Sequence, residues 1–214
     1  TEDTQPQEVP RGGFARDILD LEGYVRSFQR RCPQVTVTVL RLVPLIGSAA
    51  DTSLTRYFSR PVVPTVFGRD PRLQFVHVDD ALEVLHRSVV EDHPGVFNVA
   101  GPGVLTLSQA IRRAGRIPLP LPEPGFSAGA ALARRLGRWG LGQDQIELFI
   151  HGRVVDVSRL SAAYGMTPRP TAVAFDDFLA ANRADAPLGR ERLAAAERAI
   201  LAGIARVRDG GSGS

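Results

Sequence analysis

The stretch that most constrains the fold is the apolar run VTVTVLRLVPLIG, residues 35–47. It is rich in β-branched residues and nearly continuous in apolar character, a pattern typical of a strand buried on both faces of a parallel sheet. An amphipathic helix precedes it, because apolar residues recur at three- and four-residue steps over residues 14–31, and Pro33 ends that helix. Helix, proline turn and buried strand form the second half of a β-α-β unit. We therefore predict that Val35–Leu42 is an interior parallel strand flanked by helices on both faces.

The rest of the chain alternates between strand and helix patterns, which predicts an α/β fold. After residue 47 a loop-rich region is predicted at 48–72, with a short helix around Tyr57 and Phe58. Strands are predicted at 73–78 and 95–101, and helices at 81–90, 107–115, 128–141 and 188–207. The proline-rich run at 117–125 is predicted to lead away from the sheet, and residues 152–169 are predicted to form a short strand, a capped helix and a glycine-proline stop.

Charge and cysteine content exclude several classes of protein. The chain carries 26 basic residues, every one of them arginine, against 23 acidic residues, and a net charge of +3 is too small to indicate nucleic-acid binding. The absence of lysine excludes a Schiff-base lysine from this chain. The lone Cys32 excludes a disulfide framework and a cysteine zinc site, so we expect a reducing, cytoplasmic setting. No spacing of His, Asp and Glu indicates a metal site.

Both ends of the chain are polar and rich in loop-forming residues. The first residues, TEDTQPQEVPRGG, lack an initiator methionine and predict an extended loop, so we expect an upstream part to be missing. The last residues, RDGGSGS, have linker composition.

Arg69 and Arg72 are the best candidates for binding a diphosphate. They lie in a loop before the strand at 73–78, and a guanidinium fork matches the geometry of phosphate oxygens. The other polar residues of that region favour structural roles. His77 lies within a strand of alternating pattern, so we predict that it is a structural histidine with its hydrogen bonds satisfied. Asp79 and Asp80 are placed to cap the next helix.

Three further polar residues are predicted to make local contacts. Asn98 lies at the end of a buried strand, where a backbone hydrogen bond is favoured over ligand contact. Asp156 and Arg159 flank the start of a helix, and we predict that they form a local helix cap and a local ion pair.

The predicted helix at 128–141 carries Arg134, Arg135 and Arg138 without an acidic residue. Contact with an anionic membrane surface or a nucleotide diphosphate is one interpretation. A lid helix with a solvated basic side is favoured, because three charges supply only about 3 kcal/mol near an anionic surface.

The order of segments resembles a known family. The stretches LEGYVRSFQRRCP, VTVTVLRLVPLIG, LQFVHVDDALEVL, GVFNVAG, LSQAIRRAG and VVDVSRLSAAYGMTPR follow one another as in the C-terminal half of extended short-chain dehydrogenase/reductases, the NAD-dependent epimerase/dehydratase family. The likeness covers roughly residues 1–180 and is closest to a divergent branch that is similar to UDP-glucose 4-epimerase.

The resemblance implies the C-terminal part of a doubly wound Rossmann-type parallel sheet plus a small α/β substrate domain. It implies NAD or NADP as cofactor, bound mostly by an N-terminal half that this sequence lacks, and a nucleotide or nucleotide-sugar ligand. It also implies a homodimer through the helix at 14–31, where Leu21, Val25 and Phe28 supply apolar surface. The implied organisation is the end of the dinucleotide-binding domain at 1–47, part of the substrate domain at 48–94, the last Rossmann strand with its helix at 95–116, a substrate or lid region at 117–182, and a C-terminal helix and tail at 183–214.

The positions that carry catalysis in the family depart from its pattern. The family uses a tyrosine and, four residues later, a lysine, whereas the matching segment FARDI places Phe14 and Ile18 there. Neither can move a proton, so no catalytic residue is assigned. After the strand, Pro44 replaces an asparagine that contacts substrate in the family, and Pro44 and Leu45 are expected to contact the cofactor.

Three function classes remain open. The first is a divergent NAD(P)- and nucleotide-sugar-binding protein that lacks the usual acid-base chemistry and serves in binding or regulation. The second is an active NAD-dependent epimerase or dehydratase with substitute acid-base groups. The third is a structural interaction module at a membrane surface. The residues Phe14 and Ile18 favour the first class.

Overall fold

A computed structural model describes residue 2 and residues 14–122 and 148–182. Parallel strand pairs alternate with helices, which confirms the predicted α/β class. Within these ranges the elements in chain order are α1 (Phe14–Arg31), β1 (Thr38–Leu42), β2 (Leu45–Ile46), α2 (Ser53–Ser59), β3 (Val62–Val66), β4 (Arg72–Leu73), β5 (Val76–His77), α3 (Val78–Val90), β6 (Gly95–Val99), β7 (Leu105–Thr106), α4 (Leu107–Arg113), β8 (Ile117–Leu121), α5 (Ser158–Tyr164) and α6 (Thr171–Ala181).

The first strand pair joins β1 to β6 in parallel, with Leu40 opposite Phe97. The parallel direction predicted for this segment is confirmed. The strand is shorter than predicted and only half-buried, and Val35, which precedes it, is 44% exposed. A run of β-branched residues favours extended backbone without fixing how deeply it is buried. In the part of the chain that the structure describes, β1 has a partner on one side only, so its interior position stays a prediction.

A second parallel pair joins β3 to β8, and the sequence analysis missed both strands. Residues 117–121 of the proline-rich run leave the β1–β6 pair, as predicted, but they form a strand with β3 that was not predicted. Ile117 donates its backbone N–H to the carbonyl oxygen of Pro61. Pro118 and Pro120 alternate along β8 with the residues whose backbone hydrogen-bonding groups face β3. Proline is tolerated in a strand where its missing N–H lies on the unpaired side, so these prolines do not interrupt the pairing.

Two further pairs are each only two residues long. β2 pairs with β5 in parallel, and β4 pairs with β7 in antiparallel orientation. The short strand predicted near residue 152 is absent from the described segment 152–157, which runs beside β4. Val155 donates its N–H to the side-chain oxygen of Gln74 at 2.8 Å, so a side chain takes the place of a strand partner.

Helix α3 begins earlier than predicted, and its cap is a different residue. His77 is the N-cap, and its Nδ1 accepts a hydrogen bond of 3.2 Å from the N–H of Asp79. Asp79 and Asp80 lie in the first turn, where they complement the helix dipole, so the prediction that they cap the helix is wrong. Since Nδ1 accepts, the proton of a neutral ring lies on Nε2. The structural role predicted for His77 is confirmed, and its side chain is buried.

The buried apolar residues form two clusters. One cluster joins Tyr57 and Phe58 of α2 to Phe75, Phe149 and Phe175, whose rings stack or meet edge to face. The other lies between β6, α3 and α5 and is built from Val43, Val76, Ala81, Val84, Phe97, Val99, Ala100, Leu160 and Tyr164. Helix α6, which contributes Phe175 and Phe178, was not predicted from the sequence.

No helix in the described ranges is long and apolar enough to cross a bilayer. The predicted helices at 128–141 and 188–207, with their arginines, lie outside the described residues, as does the rest of 183–214. The division into domains stays a prediction.

Candidate anion-binding site

A cleft of about 510 Å³ lies between the β3–β4 loop and the segment after residue 149. The loop contributes Gly68, Arg69, Asp70, Pro71 and Arg72, and the facing segment contributes Ile150, His151, Gly152, Arg153 and Val154. The two walls are far apart in sequence and are brought together by tertiary packing.

The first wall is a tight turn fixed at both ends. Gly68 has φ +75°, a conformation that favours glycine, and Arg69 donates its N–H to the carbonyl oxygen of Val66 at 3.1 Å. Asp70 then reaches helix α4. Its two oxygens accept hydrogen bonds of 2.8 Å from the N–H and the hydroxyl of Ser108. These bonds hold the turn in place, and Arg72 follows on β4.

The second wall approaches β4 closely at Gly152. This glycine has φ +72°, and a Cβ placed on it would lie 2.6 Å from the carbonyl oxygen of Arg72. Arg153 donates its N–H to that same oxygen at 3.0 Å. Only glycine fits between the walls, and its presence brings the Arg72 and Arg153 side chains to one cleft.

The cleft is basic. It is lined by three arginines and a histidine against the single carboxylate of Asp70. Burial by itself would raise the pKa of Asp70, but the hydrogen bonds from Ser108 and Thr106 and the charge of Arg112 together outweigh it and hold the pKa below its ordinary value. The carboxylate is therefore ionised at neutral pH and is already engaged by Ser108. The guanidinium groups of Arg72 and Arg153 suit an anion with several oxygens, such as a phosphate or a diphosphate.

The structure places Arg69 and Arg72, the two predicted diphosphate ligands, in this one cleft. It adds His151 and Arg153, which the sequence analysis missed. In a chain with 26 arginines a single arginine after a glycine carries little signal, and the closeness of residues 72 and 153 depends on tertiary packing.

The residues expected to contact a cofactor lie elsewhere, at the bend between β1 and β2. The carbonyl oxygen of Pro44 accepts a hydrogen bond of 3.2 Å from Val76, and Leu45 pairs with Val76 and packs against the second cluster. Their side chains offer apolar contact and no hydrogen-bond donor. We therefore assign no reaction step to a cofactor through these residues.

Phe14 and Ile18 are both on α1, one turn apart. Ile18 is 37% exposed. Helix α1 is anchored to β1 through an ion pair, since the guanidinium of Arg41 donates two hydrogen bonds of 2.7 Å to the carboxylate of Glu22.

The other polar residues singled out in the sequence are structural. The side-chain amide of Asn98 donates to the carbonyl oxygen of Asp156 at 3.2 Å, as predicted. The cap predicted at Asp156 is one residue off, because the N-cap of α5 is Val157, which makes no side-chain cap hydrogen bond, and Asp156 before it accepts from the N–H of Ser158 at 2.9 Å. Arg159 lies over the ring of Phe97 at 5.5 Å from its centre.

Asp80 binds the backbone N–H and the guanidinium of Arg169, which also reaches Asp79 and Asp177. This group ties α3 to α6. Within residues 14–122 and 148–182, no three His, Cys, Asp or Glu side chains lie together in a way that could hold a metal ion.

Comparison with known proteins places the chain among mycobacterial relatives. No family model matches it. It is 47% identical over 179 residues to an uncharacterized protein of Mycobacterium tuberculosis, covering 83% of this chain and 48% of that protein. A second uncharacterized protein of the same organism is 29% identical over 154 residues, 71% of this chain and 17% of that protein. The chain thus spans about half the length of the first relative.

Solved structures show the same fold. The UDP-glucose 4-epimerase of Thermotoga maritima, solved with UDP-glucose, aligns with TM-score 0.58 at 14% identity over 86% of this chain and 60% of its own. The dTDP-glucose 4,6-dehydratase of Bacillus anthracis, solved with NAD, aligns with TM-score 0.58 at 12% identity over 86% and 55%. The NAD-dependent NDP-hexosamine 5,6-dehydratase TunA aligns with TM-score 0.58 at 16% identity over 88% and 60%. The chain therefore shares the Rossmann-type fold of these structures.

Proposed function

We propose that the protein binds a nucleotide or nucleotide sugar, together with NAD or NADP, and lacks the usual acid-base chemistry of the epimerases and dehydratases that share its fold. Its role is then binding or regulation, in a reducing, cytoplasmic setting. Most of the cofactor contacts would come from a part of the protein outside this chain, as the coverage of the relatives supports.

The basic cleft is the observation that supports a phosphate-bearing ligand. Arg69, Arg72 and Arg153 line one open cleft together with a single carboxylate, that of Asp70, which Ser108 already engages. Guanidinium groups bind phosphate oxygens in bidentate fashion, and several of them around one cleft favour a diphosphate over a neutral sugar. The structural neighbours include an epimerase solved with UDP-glucose, which supports a nucleotide sugar as the ligand.

The sequence of α1 supports the absence of the usual acid-base chemistry. Phenylalanine has no proton to transfer, and isoleucine can neither lower the pKa of a phenol nor hydrogen-bond a ribose. With Phe14 and Ile18 in the two positions, ligand binding survives while turnover falls.

Calorimetry with UDP and UDP-glucose on the intact protein tests the ligand class. We expect Arg153→Ala to weaken UDP binding about tenfold or more, because a charge-assisted hydrogen bond to phosphate is lost. Arg113→Ala is the matched control, since Arg113 pairs with Asp176 outside the cleft. Equal affinity of the Arg153→Ala variant and the unaltered protein for UDP would overturn the proposed site.

A homodimer through α1 is part of the proposal. Leu21 and Tyr24, which are 56% and 63% exposed, give this helix an exposed apolar surface, to which the half-buried Val25 and Phe28 add less. A two-fold interface would bury it against the same helix of a second copy.

A further inference from the structure

The carboxylate of Asp70 is unexpected in a cleft that takes an anion, because a negative charge repels such a ligand. The carboxyl group is ionised at neutral pH, so protonation does not remove the repulsion. The proposed function gives this side chain no role. Its hydrogen bonds indicate one.

Asp70 fastens the turn at residues 68–72 to the start of helix α4. Its two carboxylate oxygens accept hydrogen bonds of 2.8 Å from the backbone N–H and the hydroxyl of Ser108. The backbone adds a further bond, since Leu107 donates its N–H to the carbonyl oxygen of Pro71 at 2.9 Å. The turn and the start of the helix are therefore joined by one backbone contact and by the two bonds of the Asp70 side chain.

This junction lies next to Arg72, which lines the cleft. In the antiparallel pair of β4 and β7, Arg72 lies opposite Thr106. Asp70 comes two residues before Arg72, and Ser108 comes two residues after Thr106, so the bonds between Asp70 and Ser108 extend this pairing through a side chain. The carbonyl oxygen of Arg72 also accepts the hydrogen bond of 3.0 Å from Arg153. The backbone that carries the Arg72 guanidinium is thus held both by α4 and by the second wall of the cleft.

We propose that Asp70 is a positioning residue of the basic cleft. Fixed on Ser108, it holds Arg72 beside Arg153 and thereby strengthens anion binding, although its own charge opposes the anion. A guanidinium on a fixed backbone loses less conformational freedom when a ligand binds, and this gain offsets the repulsion. The inference rests on the proposed function, because the anion concerned is the one that the cleft takes.

UDP binding to the intact protein, measured by calorimetry, separates positioning from charge. Asp70→Asn and Asp70→Ala both remove the charge, and only asparagine keeps a side-chain oxygen that can accept from Ser108. We expect Asp70→Ala to bind UDP about fivefold more weakly than Asp70→Asn, at the low end of the coupling between contacting residues, and more weakly than the unaltered protein. If charge alone decided the affinity, both variants would bind UDP equally and more tightly than the unaltered protein, which would overturn the proposal.

Ser108→Ala tests the same contact from its other side. The substitution removes the hydroxyl donor and leaves the charge of the cleft unchanged. It should weaken UDP binding when made alone and have no further effect in the Asp70→Ala variant, because the two side chains act as a pair. Additive effects on UDP binding would contradict the proposal.

Gln109→Ala is the matched control for the stability of α4. Gln109 accepts a hydrogen bond of 3.0 Å from the N–H of Thr106, so it supports the same helix start through a residue other than Asp70. The variant should unfold at a lower temperature and bind UDP as the unaltered protein does. Equal weakening of UDP binding by Gln109→Ala and Asp70→Ala would assign the effect to helix stability and overturn the positioning role.

Hydrogen exchange at the backbone N–H of Arg153 gives a measurement that needs no ligand. This N–H donates to Arg72, so it should exchange faster in Asp70→Ala than in Gln109→Ala. Equal exchange in the two variants would refute the positioning role. Weaker UDP binding by Arg153→Ala, with no change for Asp70→Ala, would also refute it and leave the proposed function standing. Faster exchange in a protein that does not bind UDP would support the positioning of Arg72 and refute the proposed function.

Discussion

The backbone N–H of Arg153 donates a hydrogen bond of 3.0 Å to the carbonyl oxygen of Arg72, and this contact joins the two walls of the basic cleft. The same oxygen would lie 2.6 Å from a Cβ on Gly152. The approach of the two arginines therefore depends on a residue without a side chain. The geometry of the cleft can be changed without touching any charged group.

Gly152→Ala should weaken both the fold and the cleft. The substitution meets a positive φ of +72° and a contact with backbone, which cannot move aside as a side-chain end can. A non-glycine residue in this region costs about 1–3 kcal/mol before the clash is counted. Gly165→Ala is the control, since Gly165 has φ +60° with nothing within 4 Å of its would-be Cβ. Urea unfolding should show a larger loss for Gly152→Ala, and UDP binding should weaken for that variant alone. Equal losses would mean that the close approach is relieved by local backbone movement.

The pair between Glu22 and Arg41 should make the stability of the fold depend on pH. The hydrogen bond from Arg41 holds the pKa of Glu22 below its ordinary value, although burial opposes it. A lowered folded-state pKa gives stability that is present above the unfolded value and is lost as the pH falls through the folded one. The loss therefore begins near pH 4.5 and continues below it.

Glu22→Gln should remove this dependence and destabilise the protein at neutral pH by about 1.5–3 kcal/mol, the range for a hydrogen bond to a charged group. The matched control is Glu83→Gln, which breaks an exposed i,i+4 pair with Arg87 and should change the stability far less. Urea unfolding at pH 7 and pH 4 measures both effects. A Glu22→Gln variant with an unchanged acid-stability curve would contradict the account of this pair.

The exposed face of α1 should carry the homodimer. Leu21→Arg places a charge in the apolar surface, and burying an unpaired charge is costly, so the variant should be monomeric. Leu82→Arg is a close control, because Leu82 on α3 is 58% exposed against 56% for Leu21. Light scattering should find a dimer for the intact protein and for Leu82→Arg. A monomer for the unaltered protein would remove the proposal, and a Leu21→Arg dimer would move the interface to another surface.

The sequence predicted well those features that are encoded locally. Helix α1 spans the predicted residues, because its apolar spacing and Pro33 define it within one segment. The parallel direction of β1 followed from a helix and a strand that are adjacent in the chain. The strand β8 was missed because prolines usually mark the end of a strand, and only the partner β3 shows that their missing N–H groups lie on the unpaired side.

The candidate site was only half predictable for a related reason. Arg69 and Arg72 lie close together in the chain and could be recognised as a pair. Arg153 joins them through one backbone hydrogen bond between distant segments, which no local pattern encodes. The N-cap role of His77 was missed because its neighbours Asp79 and Asp80 are better capping residues by type.

The positions of Phe14 and Ile18 give the sharpest test of the chemistry. They lie one turn apart on α1, so a tyrosine and a lysine introduced there would share one helix face. A general acid-base group contributes about 10²–10⁴ in rate, so we expect the intact protein to bind NAD or NADP by calorimetry and to turn over UDP-glucose negligibly.

The double variant Phe14→Tyr with Ile18→Lys should raise turnover from this baseline, since it restores both a proton donor and a group that lowers its pKa. The control Arg16→Tyr with Asp20→Lys places the same pair at the same spacing on α1, at residues whose side chains are exposed, and should leave turnover unchanged. Epimerisation by the unaltered protein at about 1 s⁻¹ or faster, a rate of ordinary enzymes, would show that substitute acid-base groups exist. Failure to bind either cofactor would instead favour an interaction module, because the protein would then share the fold of these enzymes without their ligand.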